Sequence, residues 1–268
     1  MSYLREGVSL TADSYPYVTG NGFRNHAHMI WDEHQQDSPK KITEEGQVVF
    51  IKTDFVPYFF QNVMPHINHR VKIITHNSAL GIDVGYIQFL QNVKVIKWYA
   101  QNANLPHAKL SSIPLGIANK RWAHGNIDLL EEVANSKMSR KHLAYLNFDI
   151  NTNAAARSDV HDKFYNKDYV FCASKKPFKQ YLEDLKSSKF CISPQGRGVD
   201  CHRIWESIAL GTIPIVKKCN NISFYEDMPI LIIDDWNRID EQFLEQQYDI
   251  IATRSKSKIY MDYWINKI

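Results

Sequence analysis

No stretch of this chain approaches the run of roughly 20 apolar residues that a membrane-crossing helix needs, and the opening MSYLREGVSL lacks the apolar heart of a secretion signal. Cysteine is scarce, four in 268 residues, and no two stand at C-x-x-C spacing. Cys172 and Cys191 fall in apolar runs that read as buried strands, so the cysteines read as small hydrophobes of a reducing compartment. These absences set the expectation of a cytoplasmic protein, held at most loosely to a membrane. A long Lys/Arg run is also missing, and with a net charge of +3 and acids mixed among the bases, composition argues against a nucleic-acid partner.

Metal signatures are absent too. The chain has no D-x-D triplet, the carboxylate pair that commonly bridges a metal to a nucleotide diphosphate, and the adjacent Asp234 and Asp235 would point to opposite faces of a strand. The histidines lack ligand spacing, and the nearest pair, His26 and His28, has no evident third ligand. No metal and no cofactor beyond a substrate nucleotide is expected. Neither a Walker loop nor a complete dinucleotide fingerprint occurs, and no internal repeat is present.

What is present is an alternation. With 44% hydrophobic and 12% aromatic content, 268 residues suffice for one large core or two modest ones. Strand-like runs at 48–53, 71–75, 93–98, 142–148, 169–173, 190–193, 213–217 and 230–234 alternate with helical patterns at 84–91, 127–137, 154–164, 177–187, 202–210 and from about 240 onward. That order predicts an α/β protein with parallel sheets, here two Rossmann-like lobes with a cleft between them. The charged, apolar-poor segment 135–141 predicts the boundary between two lobes, residues 1–139 and 140–268, the last helix being a candidate to pack back on the first. A polar opening rich in His and Tyr, 15–37, carries no assigned element.

The most informative segment is Ser193 to Val216, SPQGRGVDCHRIWESIALGTIPIV: a strand end, a loop with Gly196 and Gly198, a helix and a second strand. Glycines let backbone N–H groups approach a phosphate, and a helix start adds unpaired donors and partial positive charge. Arg157 and Arg203 each fall in or near the first turn of a helix, where a cation opposes the helix dipole by up to about 1 kcal/mol. Two such cations call for an anion, and a diphosphate between them would suit the guanidinium fork. Glu206, one turn further on, would have to reach past phosphates to hydroxyl donors such as those of ribose, or else is a helix-surface glutamate. For a general base, the titratable groups after first-half strands are Asp54, His76 and Asp83, with Asp54 ranked first; capping the helix that begins at Phe55 is the competing role for Asp54. His26, His28 and Asp32 come next. The first-half aromatics (Tyr58, Phe59, Phe60 and Trp98 among them) suit either sugar stacking or a core.

The run Gly198 to Val216, with Asp200, His202, Arg203, Trp205, Glu206, Gly211 and Pro214, resembles the donor-binding segment of the exostosin-like glycosyltransferases. ITHNS (74–78), WYAQN (98–102), IPLGIAN (113–119) with Trp122-Ala-His-Gly, and the NTN…R element at 151–157 resemble that family too. The resemblance implies the two-lobed glycosyltransferase B fold, with donor in the C-terminal lobe, acceptor in the N-terminal lobe, and inversion at the sugar carbon. It implies a cofactor-like donor site in which Glu206 binds ribose, Arg157 and Arg203 the diphosphate, and Ser193 with Gly196 and Gly198 the phosphate oxygens, with Asp200 and His202 in the same segment. Animal and plant members are usually longer and membrane-anchored; this shorter chain is similar to the virus-encoded capsid-glycan xylosyltransferases of chloroviruses. Partners implied are a UDP-sugar, UDP-xylose first, and a glycan or glycoprotein acceptor. A glycan-binding protein of the same fold without transfer activity, or another nucleotide-sugar enzyme such as an epimerase, are the alternatives.

Overall fold

The computed structural model of the protein describes residues 4–268. It contains two five-stranded sheets in which every strand pair is parallel. A helix α1 (Gly20–His26) leads into β1 (Met29–Trp31), β2 (Val48–Lys52), α2 (Val56–Asn62), β3 (Val71–His76), α3 (Ile87–Leu90), β4 (Val95–Ala100) and β5 (Leu110–Ser112). The helix α4 (Ile127–Asn135) then carries the chain to β6 (His142–Leu146), α5 (Ala154–Phe164), β7 (Val170–Cys172), α6 (Phe178–Lys186), β8 (Ser188–Ile192), α7 (His202–Ala209) and β9 (Ile213–Lys217). It finishes with α8 (Asn220–Ser223), β10 (Leu231–Ile233), α9 (Glu241–Ala252) and α10 (Met261–Ile265). Among the described residues no helix is long and apolar enough to cross a membrane.

Parallel strands are covered on both faces, which is why VVFI and IPIV are apolar without alternation. In the first sheet Val49, Ile51, Ile73 and Trp98 face α2 and α3, where Phe60 stacks on Trp98 at 5.5 Å. The opposite face, with Phe50, Ile74 and Tyr99, meets Phe23 of α1, itself edge-on to Trp264 of α10. The second sheet sets Ala144, Phe190 and Ile215 against α5 and α9, and Tyr145, Cys191 and Val216 against α4, α6 and α7. This last cluster runs without a break into the α1 face of the first sheet. The chain crosses between lobes twice, since α4 packs on α6 and α7 while α10 packs on α1.

Strand order distinguishes the two sheets. The first sheet runs β1-β2-β3-β4-β5, in chain order; the second runs β10-β9-β8-β6-β7, reversing direction between β6 and β8. Loops leave a reversal point in opposite directions and open a crevice at the strands' carboxyl ends. Here those loops are 147–153 and 193–201.

The polar opening differs most from expectation. It folds as α1 and β1, and its polar groups are internal wiring: Thr19 caps α1 through Gly22 N–H at 3.0 Å, and Arg24 is buried against Asp32 at 2.6 Å. The Asp37 carboxylate accepts from Ile30 N–H. Local pattern reading misses such segments because their side chains satisfy backbone groups instead of forming an apolar stripe. The helix expected at 84–91 is a single 3-10 turn, Val84–Tyr86, followed by α3. Of the aromatics, Phe59, Phe60 and Trp98 are core, whereas Tyr58 is exposed beside Trp31.

At the amino ends of the second sheet, half-buried Arg140 donates to the carbonyls of Lys186, Ser188, Leu210 and Gly211 and to the Thr212 hydroxyl. Gly211 stands at φ +75°, the left-handed conformation that closes α7. Arg140→Met would leave several carbonyls without a donor, with an expected loss of about 2–4 kcal/mol. Urea denaturation of Arg140→Met and Arg140→Lys checks this: lysine should recover part of the loss, and a methionine variant as stable as the parent would refute it.

Candidate functional site

Arg157 and Arg203 converge at the β6/β8 crevice. Phe148, just beyond β6, lies under both: the Arg157 guanidinium carbon is 5.4 Å from the ring centre and that of Arg203 5.7 Å. An aromatic face eases the approach of two like charges. Arg157 is held by the carbonyls of Gln195 at 2.9 Å and Asp149 at 2.7 Å. Arg203 has no such anchors, and its Nε and Nη1 are buried without a hydrogen-bond partner. It lies in the first turn of α7, whose N-terminus no side chain caps; α5, by contrast, is capped by Asn153.

The charges there do not balance. Burial, followed by the nearness of Arg203, lowers the Arg157 pKa. For Arg203, burial disfavours the charge, but Cys201, Tyr181, Cys191 and Glu206 outweigh it and raise the pKa. Burial raises the pKa of Cys201, Cys191 and Tyr181 above their ordinary values, so they stay neutral near pH 7. Glu206 is itself pushed up to about 7 by burial, against the opposing pull of Tyr181 and Arg203. Two guanidiniums therefore face one partly ionised buried carboxylate, Glu206, while the exposed Asp149 also favours the charge on Arg157. Buried donors without partners are costly, and an entering anion would remove that cost.

Other donor-site expectations need correction. Gly196 N–H is spent on the Gly198 carbonyl at 3.0 Å, and the Gly196 carbonyl accepts from Asn153 Nδ2 at 2.7 Å. Gly198 is small because the other lobe presses on it: a Cβ there would lie 2.4 Å from Asn102 Nδ2. At Gly196 and Gly198 the loop is thus engaged in packing, with the Gly196 amide bonded inside it. The Ser193 hydroxyl turns back to the Cys191 carbonyl at 3.3 Å, and its N–H joins Ile215. Glu206 is 4% exposed and accepts from Tyr181 at 2.7 Å, so it is a buried carboxyl bonded to Tyr181 and not a surface glutamate.

Asp200 is a clasp between lobes. Its two oxygens accept from Leu115 N–H and Trp205 Nε1, both at 2.8 Å, and its own N–H donates to Asn102 Oδ1 at 3.1 Å. Asn102 holds φ +55° to do so. Burial pushes the Asp200 pKa up to about 7 despite these donors. Beside the clasp, the His202 Nδ1 bonds the Gly116 carbonyl at 2.7 Å. A carbonyl only accepts, so Nδ1 carries the proton and Nε2 the lone pair.

Two hollows flank this centre. One of about 350 Å³ lies on the α5 side, between Asn153, Gln195, Lys217, Lys218 and Trp236. The other, of about 470 Å³, is the cleft between lobes, lined by His76, Asn77, Arg121, Trp122, Arg197 and His202 among others. Of the expected bases only His76 reaches it. That ring is buried and doubly engaged: Nδ1 accepts from Asn77 N–H at 2.7 Å, so Nε2 donates to the Pro114 carbonyl at 3.0 Å. Asp54 is exposed, lines neither hollow, and does not cap α2, which has no side-chain cap. Asp83 caps the turn at Gly85 N–H, 2.9 Å away. His28 accepts from Val48 N–H, and Asp32 is tied to Arg24. Phe148, Asn102 and Tyr181 are the participants that the sequence did not single out; only the aromatic next to a strand end hinted at the first. Among the described residues no group of three or more His, Cys, Asp or Glu could hold a metal ion.

Buried titrations in this region oppose one another. His76 and His202 are lowered by burial to about 4 from 6.5, so between those values the unfolded chain binds more protons and stability falls as pH falls. Asp200 and Glu206 are raised to about 7, so the folded chain binds more protons below that and stability falls as pH rises toward 7. Glu206→Gln removes one of the second kind. Relative to the parent, its stability should improve on going from pH 5 to pH 8, measured by denaturation at both values; an unchanged difference would return Glu206 to an ordinary carboxyl pKa.

Residues 139–267, the part of the chain that holds Arg157, Phe148 and Arg203, match the family described as "RXYLT1 C-terminal domain". No curated protein matches the sequence. Among solved structures, one described as "Crystal structure of GtfA/B complex" aligns with 82% of this chain at 11% identity and a TM-score of 0.36. This chain spans about half, 53%, of the length of that one.

Proposed function

We propose that the protein is a glycosyltransferase that takes a nucleoside-diphosphate sugar, UDP-xylose first, and passes the sugar to a hydroxyl of a glycan or glycoprotein. The observation that carries this reading is the partnerless Arg203 beside Arg157 at the reversal point of the second sheet. A diphosphate is the ligand whose charge and paired oxygens suit two adjacent guanidinium forks. The family match over residues 139–267 supports the same reading, since it covers that centre. The exostosin-like motifs agree with it.

In this reading the donor lies at the carboxyl ends of β6 and β8, with its diphosphate on Arg157, Arg203 and the uncapped start of α7. Negative charge grows on the diphosphate as the sugar leaves, and preorganised guanidiniums in a buried site stabilise that charge without reorganising. The two arginines take the place of a metal. Displacement proceeds with inversion, the acceptor entering from the cleft between lobes. Glu206 serves the ribose only if Tyr181 yields its hydrogen bond.

Calorimetric titration of UDP in excess EDTA tests this. Binding is expected without metal, and Arg203→Ala should weaken it about 10- to 100-fold, as loss of a charged hydrogen bond implies. Arg203→Lys should recover only part, because a point charge lacks the fork. UDP that binds neither in EDTA nor with Mn²⁺ would overturn the reading, and binding only with Mn²⁺ would overturn its metal-free form.

A further inference from the structure

We infer that His202 is the general base of the transfer, its Nε2 accepting the proton of the attacking hydroxyl; the inference rests on the glycosyltransferase reading. The acceptor O–H bond breaks and its proton moves to Nε2. The oxygen's electron pair forms the new bond to the anomeric carbon, and the bond from that carbon to the diphosphate breaks, its pair leaving with UDP.

Three observations carry this. First, the tautomer is set: Nδ1–H is committed to the Gly116 carbonyl, which leaves the lone pair on Nε2 in a residue that lines the cleft. A base oriented through its other nitrogen is the arrangement that efficient proton transfer requires. Second, His202 and Arg203 are consecutive in the first turn of α7, so the base and the diphosphate ligand are carried by one rigid element. Third, the carboxylates and His76 are spent, and His124, the other imidazole on the cleft, has no hydrogen bond among the described residues that fixes its tautomer. Among the described residues no Asp or Glu lines the cleft, Asp54 and Asp83 lie outside it, and both nitrogens of His76 are bonded.

The groups that face His202 are His76, His124 at 5.8 Å between ring centres, Arg121 and Arg197, none of them anionic. Burial, opposed by the Gly116 bond and reinforced by His124 and His76, holds the free imidazole at about 4, so it is unprotonated at neutral pH. The base is ready without a carboxylate to activate it. A dianionic donor bound at Arg203 would raise that pKa and strengthen the base when it is needed.

His202→Asn is the test, because an asparagine amide N–H can replace Nδ1–H toward Gly116 while Nε2 disappears. UDP affinity by calorimetry should stay within about twofold, while UDP release from UDP-xylose with water as acceptor should fall about 100-fold. The parent's kcat/KM for UDP-xylose, which reports the free protein, should show an acid limb near 4 that the variant lacks, and the limb in kcat should lie higher. Independently of turnover, the ¹⁵N spectrum of the parent should show one histidine, absent in His202→Asn, with an unprotonated Nε2 that titrates near 4. A variant that releases UDP at the parent rate, or a His202 that carries its proton on Nε2 or titrates near 6.5, would overturn the assignment. Failure of the parent to bind UDP would instead overturn the donor reading, which the spectrum does not address.

Discussion

The structure hangs on the Asp200 carboxylate. It is buried, spends one oxygen on a backbone N–H that follows the first sheet and the other on an indole in α7, and its backbone is gripped by Asn102 at the end of β4. A carboxylate loses hydration on burial and regains it only through such donors. The clasp therefore holds together only when both lobes are in place. It decides where the 193–201 loop runs and hence where α7 begins.

Much follows from that placement. Gly198 must be glycine because the clasp draws Asn102 against the loop. The start of α7 is directed into the junction, which lets His202 reach Gly116 across the lobes and sets Arg203 over Phe148. Asn221 of α8 adds a second tie, accepting from Ala103 N–H and the Ser112 hydroxyl, with Tyr225 bonded to the same hydroxyl. With one apolar cluster running through both lobes, the junction is a continuous core rather than an open hinge.

The junction also explains the charge. Arg157 lies behind backbone carbonyls, and both arginines pack on one aromatic ring, where repulsion between them is poorly screened. Glu206, which burial keeps partly protonated, favours the charge on Arg203, and the exposed Asp149 favours that on Arg157. The site is thus assembled with an excess of positive charge, and the proposed diphosphate binding rests on that excess.

Strand and helix alternation was legible in the sequence because doubly covered parallel strands are apolar throughout and helices between them carry apolar stripes. The helix at Ala154–Phe164 and the strand at Ile213–Lys217 coincide with expectation residue for residue. The pairing of Arg157 with Arg203 was legible as well, since each follows a strand end in a lobe whose strands reverse order. The sequence could not say which polar groups would be used up by the fold. Ser193, Gly196, Gly198 and Asp200 look like one donor-binding loop in one dimension; in three, Ser193 and Gly196 bond within their own lobe while Gly198 and Asp200 meet the other lobe. Asp54 and Asp83 follow strands as a base would, yet the turns after those strands leave both in solvent. Local pattern determined the elements and the cationic character of the second lobe; only the tertiary structure decided which donors and acceptors remained free, because satisfying a buried polar group depends on partners about a hundred residues away.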